Sequence, residues 1–365
     1  MITVLTVIGT RPEVIKLAPL ISLLKVNSYF NSKVCLTHQH QELLEPFLLD
    51  AKITPDYKIE PNPNTSTLYQ SAAHILKQLG DLMAELKPDV VIVQGDTTTA
   101  FAATLAAFYN QIPVAHVEGG LRTGNLYSPW PEEAHRCMID QLATYFFAPT
   151  RAAQNNLIKE GVDPQKVWLV GNTSMDALRL TPEAPASQAS ENLKQIIVTI
   201  HRRENQNAAL HAIGGAICSI AEQFPAIKIL FFLHPNPIIY NYARQTFAGK
   251  SNIQLMKPLD HPSFIQLMRE SLFIITDSGG IQEEAACLGK PIIVVRDETE
   301  RSENLEQGIG RLVGTQAKDI ILSCQELITN ERLRTQMSKK HSLYGDGYAA
   351  DRIITILETE LRRNK

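Results

Sequence analysis

Short apolar runs recur along the chain at spacings that leave room for one helix between most of them. They are ITVLTVI (2–8), KVCLTH (33–38), DVVIVQ (89–94), PVAHV (113–117), YFFAP (145–149) and KVWLV (166–170). Nearly continuous apolar runs of this length read as strands buried on both faces rather than as half-exposed edge strands. Segments of helical composition lie between most of them, FAATLAAFY (101–109) being the clearest. This alternation predicts a parallel, doubly wound α/β sheet.

The pattern then breaks. RLTPEAPASQASEN (179–192) is rich in Pro, Ser and Ala, poor in apolar residues, and reads as a surface connector near a domain boundary. A second series follows with IIVTI (196–200), IKILFFL (227–233), IQLM (253–256), LFIITD (272–277) and PIIVV (291–295). The last segment, AADRIITILETELRR (349–363), carries Ile353, Leu357 and Leu361 at the i, i+4, i+8 spacing of an amphipathic helix. The expected organisation is a Rossmann-like lobe over 1–171, a second over 172–348, and a C-terminal helix over 349–365 packing back on the first lobe. A cleft is expected between the lobes.

Length and composition fit this reading. At 365 residues the chain is long for one domain, and 44% hydrophobic content supports two cores. A net charge of -3 with no basic stripe argues against nucleic acid. No run approaches the roughly 20 apolar residues of a membrane span, which argues against a membrane protein. Five scattered cysteines without CxxC spacing suggest reduced thiols and a cytoplasmic location. No metal or cofactor is expected, because HQH at 38–40 lacks zinc-site spacing and neither HExxH nor a Walker motif occurs.

Candidate chemistry gathers where strands end. After the first strand, GTRPEVIK places Arg11 and Lys16 near a helix N-terminus, where two cations and free amides suit an anion. Two solvated surface cations would look the same. After DVVIVQ, Asp96 in GDTTT either caps the next helix or acts chemically. After PVAHV, Glu118 precedes a glycine-rich turn and is a poor cap, which favours function. SPWPEEAHR (128–136) adds Glu132, Glu133, His135 and Arg136, with dipole complementation the plain reading of Glu133. Asp96, Glu118 and Glu132 could converge above one sheet edge and divide acid and base roles.

In the second half, His201 ends IIVTI and is followed by two arginines, and His234 ends the FFL strand. The TDSGGIQEEAACLGKP stretch (276–291) reads as a strand, a Ser-Gly-Gly turn, a helix and a strand. Gly279 and Gly280 would let helix amides approach phosphate oxygens, with Asp277 and Ser278 as caps and Glu283 or Glu284 near a ribose.

Together, GTRPEVIKLAPL, QGDTTTAFAATLAAFY, HVEGGLRTGNLYSPWPEE, HRREN, DSGGIQEEA, LGKP and RDETER resemble the UDP-N-acetylglucosamine 2-epimerase family, closest to its non-hydrolysing branch. The resemblance implies a two-lobed GT-B type fold and interconversion of UDP-N-acetylglucosamine and UDP-N-acetylmannosamine without a cofactor. It implies elimination of UDP to 2-acetamidoglucal followed by re-addition. Residue by residue it makes Asp96, Glu118 and Glu132 the acid/base carboxylates and His201 the stabiliser of the leaving diphosphate. It sets Arg11 and Lys16 at the phosphate and sugar, with Arg136 supporting the acidic loop. Ser278, Gly279 and Gly280 would hold phosphate and Glu284 the ribose, while Phe264 lines the uracil pocket and Arg301 reaches the nucleotide. Gln39, His40 and His234 match part of an activator site, and the family implies a homodimer. Gly119 stands where the family often has alanine, and His135 where it often has asparagine. The rival readings are a hydrolysing epimerase, a GT-B glycosyltransferase and a catalytically silent nucleotide-sugar binder.

Overall fold

The computed structural model describes residues 1–37, 41–62, 67–181, 194–202, 205, 208–234, 236–339 and 341–363. Its chain divides into two compact units, Met1–Leu180 with Tyr344–Lys365, and Thr181–Leu343.

The first unit begins β1 (Ile2–Ile8), α1 (Arg11–Val26), β2 (Phe30–Thr37), α2 (Gln41–Asp50), β3 (Tyr57–Ile59), α3 (Leu68–Leu86), β4 (Val90–Gln94) and α4 (Thr98–Tyr109). It continues with β5 (Val114–Val117), α5 (Glu132–Leu142), β6 (Tyr145–Ala148), α6 (Arg151–Lys159), β7 (Val167–Leu169) and α7 (Thr173–Leu180). The strands form a parallel sheet in the order β3-β2-β1-β4-β5-β6-β7. β4, β5 and β6 are buried at every position, as strands covered by helices on both faces must be. The strand order reverses between β1 and β4, so the loops after these strands flank the crevice where open sheets bind ligands.

The second unit runs β8 (Gln195–Thr199), α8 (Ala208–Gln223), β9 (Lys228–Phe232), α9 (Pro237–Thr246), β10 (Ile253–Met256), α10 (His261–Glu270) and β11 (Ile274–Thr276). It ends α11 (Gly279–Leu288), β12 (Ile292–Val294), α12 (Ser302–Glu306), β13 (Gly310–Leu312), α13 (Ala317–Thr329) and α14 (Glu331–Met337). Its parallel sheet has the order β10-β9-β8-β11-β12-β13, with the reversal between β8 and β11. The His201 segment leaves β8 and the Ser-Gly-Gly turn leaves β11, so both lie at that reversal.

α15 (Ala349–Arg363) belongs to the first unit. Its Ile353, Leu357 and Leu361 join Leu17, Leu20 and Leu24 of α1 in one buried core. Asp176 on α7 accepts from the Ala349 and Ala350 amides at 3.1 and 2.9 Å, satisfying the helix start from a distant residue. Arg179 stacks over Tyr348 at 4.3 Å and donates to the Gly347 carbonyl at 2.7 Å. These contacts keep α7 in the first unit, so the division follows Leu180 instead of the expected position after residue 171. The predicted connector overlaps α7 at Arg179 and Leu180, and residues 182–193 lie outside the described residues. β3 and β13 were not anticipated from the sequence. Among the described residues, no helix is long and apolar enough to cross a membrane.

Candidate active site

In the first unit, β4 and β5 pair Gln94 with Val117, which brings Asp96 and Glu118 to neighbouring strand ends. Glu118 is 7% exposed and adopts φ +69°, a left-handed conformation uncommon for a side-chain-bearing residue. Its Oε2 accepts from Lys16 Nζ at 2.5 Å and from Gln94 Nε2 at 2.9 Å. Lys16 is therefore a buried partner of Glu118, while Arg11 is exposed with its guanidinium 5.3 Å from the Phe47 ring. The two cations grouped by sequence face different surroundings.

Asp96 does not cap α4. Thr97 does, its Oγ1 accepting from the Ala100 amide at 3.0 Å. The Asp96 Oδ2 is gripped by Arg136, whose Nε donates at 2.9 Å and whose Nη2 also donates. Arg136 Nη1 donates to Glu133 Oε2 at 3.0 Å, and Glu133 Oε1 accepts from the Thr123 and Gly124 amides at 2.9 Å each. Glu133 is thus the clasp of the glycine-rich turn rather than a simple dipole complement. Glu132 is the half-buried first residue of α5. His135 stacks on Phe101 at 5.0 Å and faces the Asp96 carbonyl at 3.1 Å. Burial pushes the His135 pKa down, opposed by that carbonyl and by the Asp96 and Glu132 carboxylates. Asp96 and Glu132 are both close enough to this ring to act on it.

Two further groups support these loops, and sequence reading passed over both. His116, inside β5, donates from Nε2 to the Gly95 carbonyl at 2.8 Å, and its Nδ1 is 2.6 Å from Asp140 Oδ1. Asp140 also accepts from the Gly120 amide at 3.1 Å and pairs with Arg122 at 2.8 Å. Burial raises the Asp140 carboxyl, but His116 and Arg122 outweigh it and hold the pKa below its ordinary value. The other group is Glu13, fully buried on α1, whose pKa burial raises from 4.5 to about 7. The GTRPE motif contained Glu13, but nothing in its spacing distinguishes a buried carboxylate from a first-turn one.

In the second unit, Asp277 is fully buried and does not cap α11. Its carboxylate accepts from the His201 amide at 3.0 Å, the Arg202 amide at 2.9 Å and the Asn205 side chain at 2.9 Å. It fixes the strand end that carries His201, whose ring lies 5.8 Å from that of His234. Ser278 is the N-cap residue of α11, but its side chain makes no capping bond, so the first turn is headed by Gly279 and Gly280 without a serine cap. A Cβ on Gly279 would lie 2.7 Å from the Arg301 guanidinium carbon, whereas one on Gly280 would meet nothing within 4 Å. Arg301 lies against that turn, its Nη2 donating to Glu283 Oε1 at 2.7 Å and its Nη1 bonding Glu300. Glu284 Oε1 is 2.7 Å from His261 Nε2. Phe264, on α10, meets Phe232 edge-on at 5.0 Å. Gln39 and His40 lie outside the described residues.

Each unit therefore carries one chemically equipped strand edge. The first offers carboxylates paired with cations. The second offers a helix N-terminus beside a histidine and an arginine, an arrangement suited to an anion.

A family model described as UDP-N-acetylglucosamine 2-epimerase matches residues 23–358. A UDP-N-acetylglucosamine 2-epimerase of Yersinia pestis is 44% identical over 97% of this chain and 98% of its own. The crystal structure of UDP-GlcNAc 2-epimerase from Neisseria meningitidis bound to UDP-GlcNAc is 41% identical with a TM-score of 0.93, covering 98% of this chain and 100% of that one. The S. aureus MnaA structure with UDP is 38% identical with a TM-score of 0.95, covering 99% and 97% of the two chains. The two parallel-sheet lobes are of the GT-B type.

Proposed function

The chain belongs to the UDP-N-acetylglucosamine 2-epimerase family, and from that premise we propose that it interconverts UDP-N-acetylglucosamine and UDP-N-acetylmannosamine reversibly, by eliminating UDP and adding it back. The C2 hydrogen of the sugar is not next to a carbonyl, so simple deprotonation has no stabilised carbanion to pass through. Elimination avoids this. A base removes the C2 proton, the C1–O bond to UDP breaks, its electron pair leaves with the diphosphate, and C1=C2 forms. In the return step a diphosphate oxygen attacks C1 and a proton adds to C2 on the opposite face.

One observation carries the reading: two carboxylates in unlike environments stand at adjacent strand ends. Glu118 is buried against Lys16, and Asp96 is held by Arg136 with its side chain 25% exposed. Carboxylates whose surroundings differ can divide the acid and base roles, and Glu132 at the start of α5 completes the group. The departing diphosphate needs positive potential, which His201, Arg202 and the N-terminus of α11 supply in the second unit. In this scheme Arg11 lies toward phosphate, Phe264 toward uracil and Glu284, with its partner His261, toward ribose. No electrons are gained or lost, so no redox cofactor is called for. Homodimerisation, activation through a site that includes His234, and a cytoplasmic location belong to the same reading.

The test is incubation with UDP-N-acetylglucosamine in heavy water, followed by proton NMR. The expected product mixture has deuterium at C2 of sugars still attached to UDP. Release of free N-acetylmannosamine with UDP would replace re-addition by hydrolysis, and neither C2 exchange nor UDP release would end the epimerase reading.

A further inference from the structure

We infer that Glu13 is a positioning residue for the epimerisation, a buried tie that sets the spacing between the Asp96 loop and the helix carrying Lys16. The inference rests on the function proposed above.

Glu13 is fully buried and cannot touch a substrate. Its carboxylate spans two loops. Oε2 accepts from the Gly9 amide at 3.0 Å and the Thr10 hydroxyl at 2.7 Å, both in the turn after β1. Oε1 accepts from the Thr97 hydroxyl at 2.8 Å, in the turn after β4. Thr97 follows Asp96 directly, and its Oγ1 also caps α4. Lys16, which holds Glu118 at 2.5 Å, stands three residues beyond Glu13 on the same helix. One carboxylate therefore connects the mounts of both acid/base groups across the reversal in strand order.

The surroundings leave these turns little slack. A Cβ on Gly9 would lie 2.0 Å from Thr99 Oγ1 and 2.6 Å from Thr37 Oγ1, and those two hydroxyls are themselves 2.7 Å apart. The turn after β1, the last residue of β2 and the start of α4 are thus locked together by short side chains, with Glu13 as the ionisable member. Burial of a carboxyl is unfavourable, and its pKa rises to about 7 despite the three donors.

The experiment compares C2 exchange, KM and UDP affinity for the wild type, Glu13→Ala, Glu13→Gln, Thr97→Val and Thr97→Ser, normalised to folded protein by circular dichroism. Misplaced acid/base groups lower kcat more than binding, so Glu13→Ala and Thr97→Val are expected to lose kcat by about tenfold or more, with KM and UDP affinity within about twofold. Thr97→Ser keeps the hydroxyl and should recover most of the rate. Glu13→Gln keeps an oxygen for Gly9 and Thr10 and should fall between. If Glu13→Ala does not fold, the Thr97 pair decides. The inference is overturned if Thr97→Val keeps its kcat, if Thr97→Ser fails to recover the rate, or if the losses follow KM and UDP affinity. A wild type without C2 exchange would instead fail the functional reading itself.

Discussion

Replacing Glu13 by glutamine removes a titrating group while keeping its shape, and the burial of that group sets the sign of the result. Burial raises the Glu13 carboxyl from 4.5 to about 7, so between those values the folded chain holds a proton that the unfolded chain has released. A raised carboxyl gives its full stabilising contribution below about pH 4.5 and loses it as pH rises through about 7. The interval amounts to about 3 kcal/mol at 1.36 kcal/mol per unit of pKa. The side chain is fully buried, so solvent screening does not reduce this figure. In a unit of about 200 residues it corresponds to roughly 6–12 °C in melting temperature.

Both tryptophans of the chain, Trp130 and Trp168, belong to the first unit, and Trp168 packs on Phe147 at 5.8 Å. Intrinsic fluorescence therefore reports the unit that contains Glu13. Urea unfolding of wild type and Glu13→Gln would be followed this way at pH 5, 6, 7 and 8. Other groups titrate in both proteins and cancel in the difference. The wild type should lose about 2.5 kcal/mol relative to the variant between pH 5 and pH 8, the part of the interval that this range covers. Parallel stability curves across that range would refute the assignment of a strongly raised carboxyl to Glu13.

Other outcomes follow from the same geometry. Asp96→Asn and Glu118→Gln should each slow C2 exchange by roughly 10²–10⁴ while calorimetric UDP affinity stays near wild type, and loss of both together would remove the catalytic assignment. Asp277→Ala strands the His201 and Arg202 amides, each at about 1–3 kcal/mol, and leaves the Asn205 amide group with its bond to the Val295 carbonyl at 3.2 Å. It should lower urea stability and weaken UDP binding, and a variant unchanged in both would show that Asp277 does not hold this segment. Gly120 has φ +88° and a Cβ there would lie 2.2 Å from the Ala153 carbonyl oxygen, so Gly120→Ala should misfold. At Gly119 the nearest atoms would be Asp140 Oδ1 and His116 Nδ1 at 3.1 Å, so Gly119→Ala should fold with at most about 1 kcal/mol lost. Equal thermal stability of the two variants would contradict this contrast.

What the sequence made legible follows from which forces act locally. Long apolar runs such as ITVLTVI and DVVIVQ became β1 and β4 because their helix-covered positions are nearly all apolar, Thr6 and Gln94 being the buried polar exceptions. The i, i+4, i+8 stripe of α15 survived for the same reason. β3 and β13, three residues each, carry too few side chains for a period and take their extended form from a neighbouring strand. The end of the first unit was misplaced because the stacking of Arg179 on Tyr348 joins residues far apart in the chain. Asp277 and Asp96 both looked like caps, since an acidic residue before a helix is a sound local signal. Their partners instead come from other strands and helices, so only the assembled sheet distinguishes the two positions.

The carboxylates at these strand ends differ in what holds them. Asp277 and Glu133 accept backbone amides and so close the loops they face. Glu118 and Asp96 are held by the side chains of Lys16 and Arg136. Two acids on adjacent strand ends thus have unlike partners, a lysine buried beside Glu118 and an arginine beside the more exposed Asp96. In the reaction proposed above, which removes a proton from one face of a carbon and returns one to the other, acids with unlike partners can divide the two roles and exchange them in reverse.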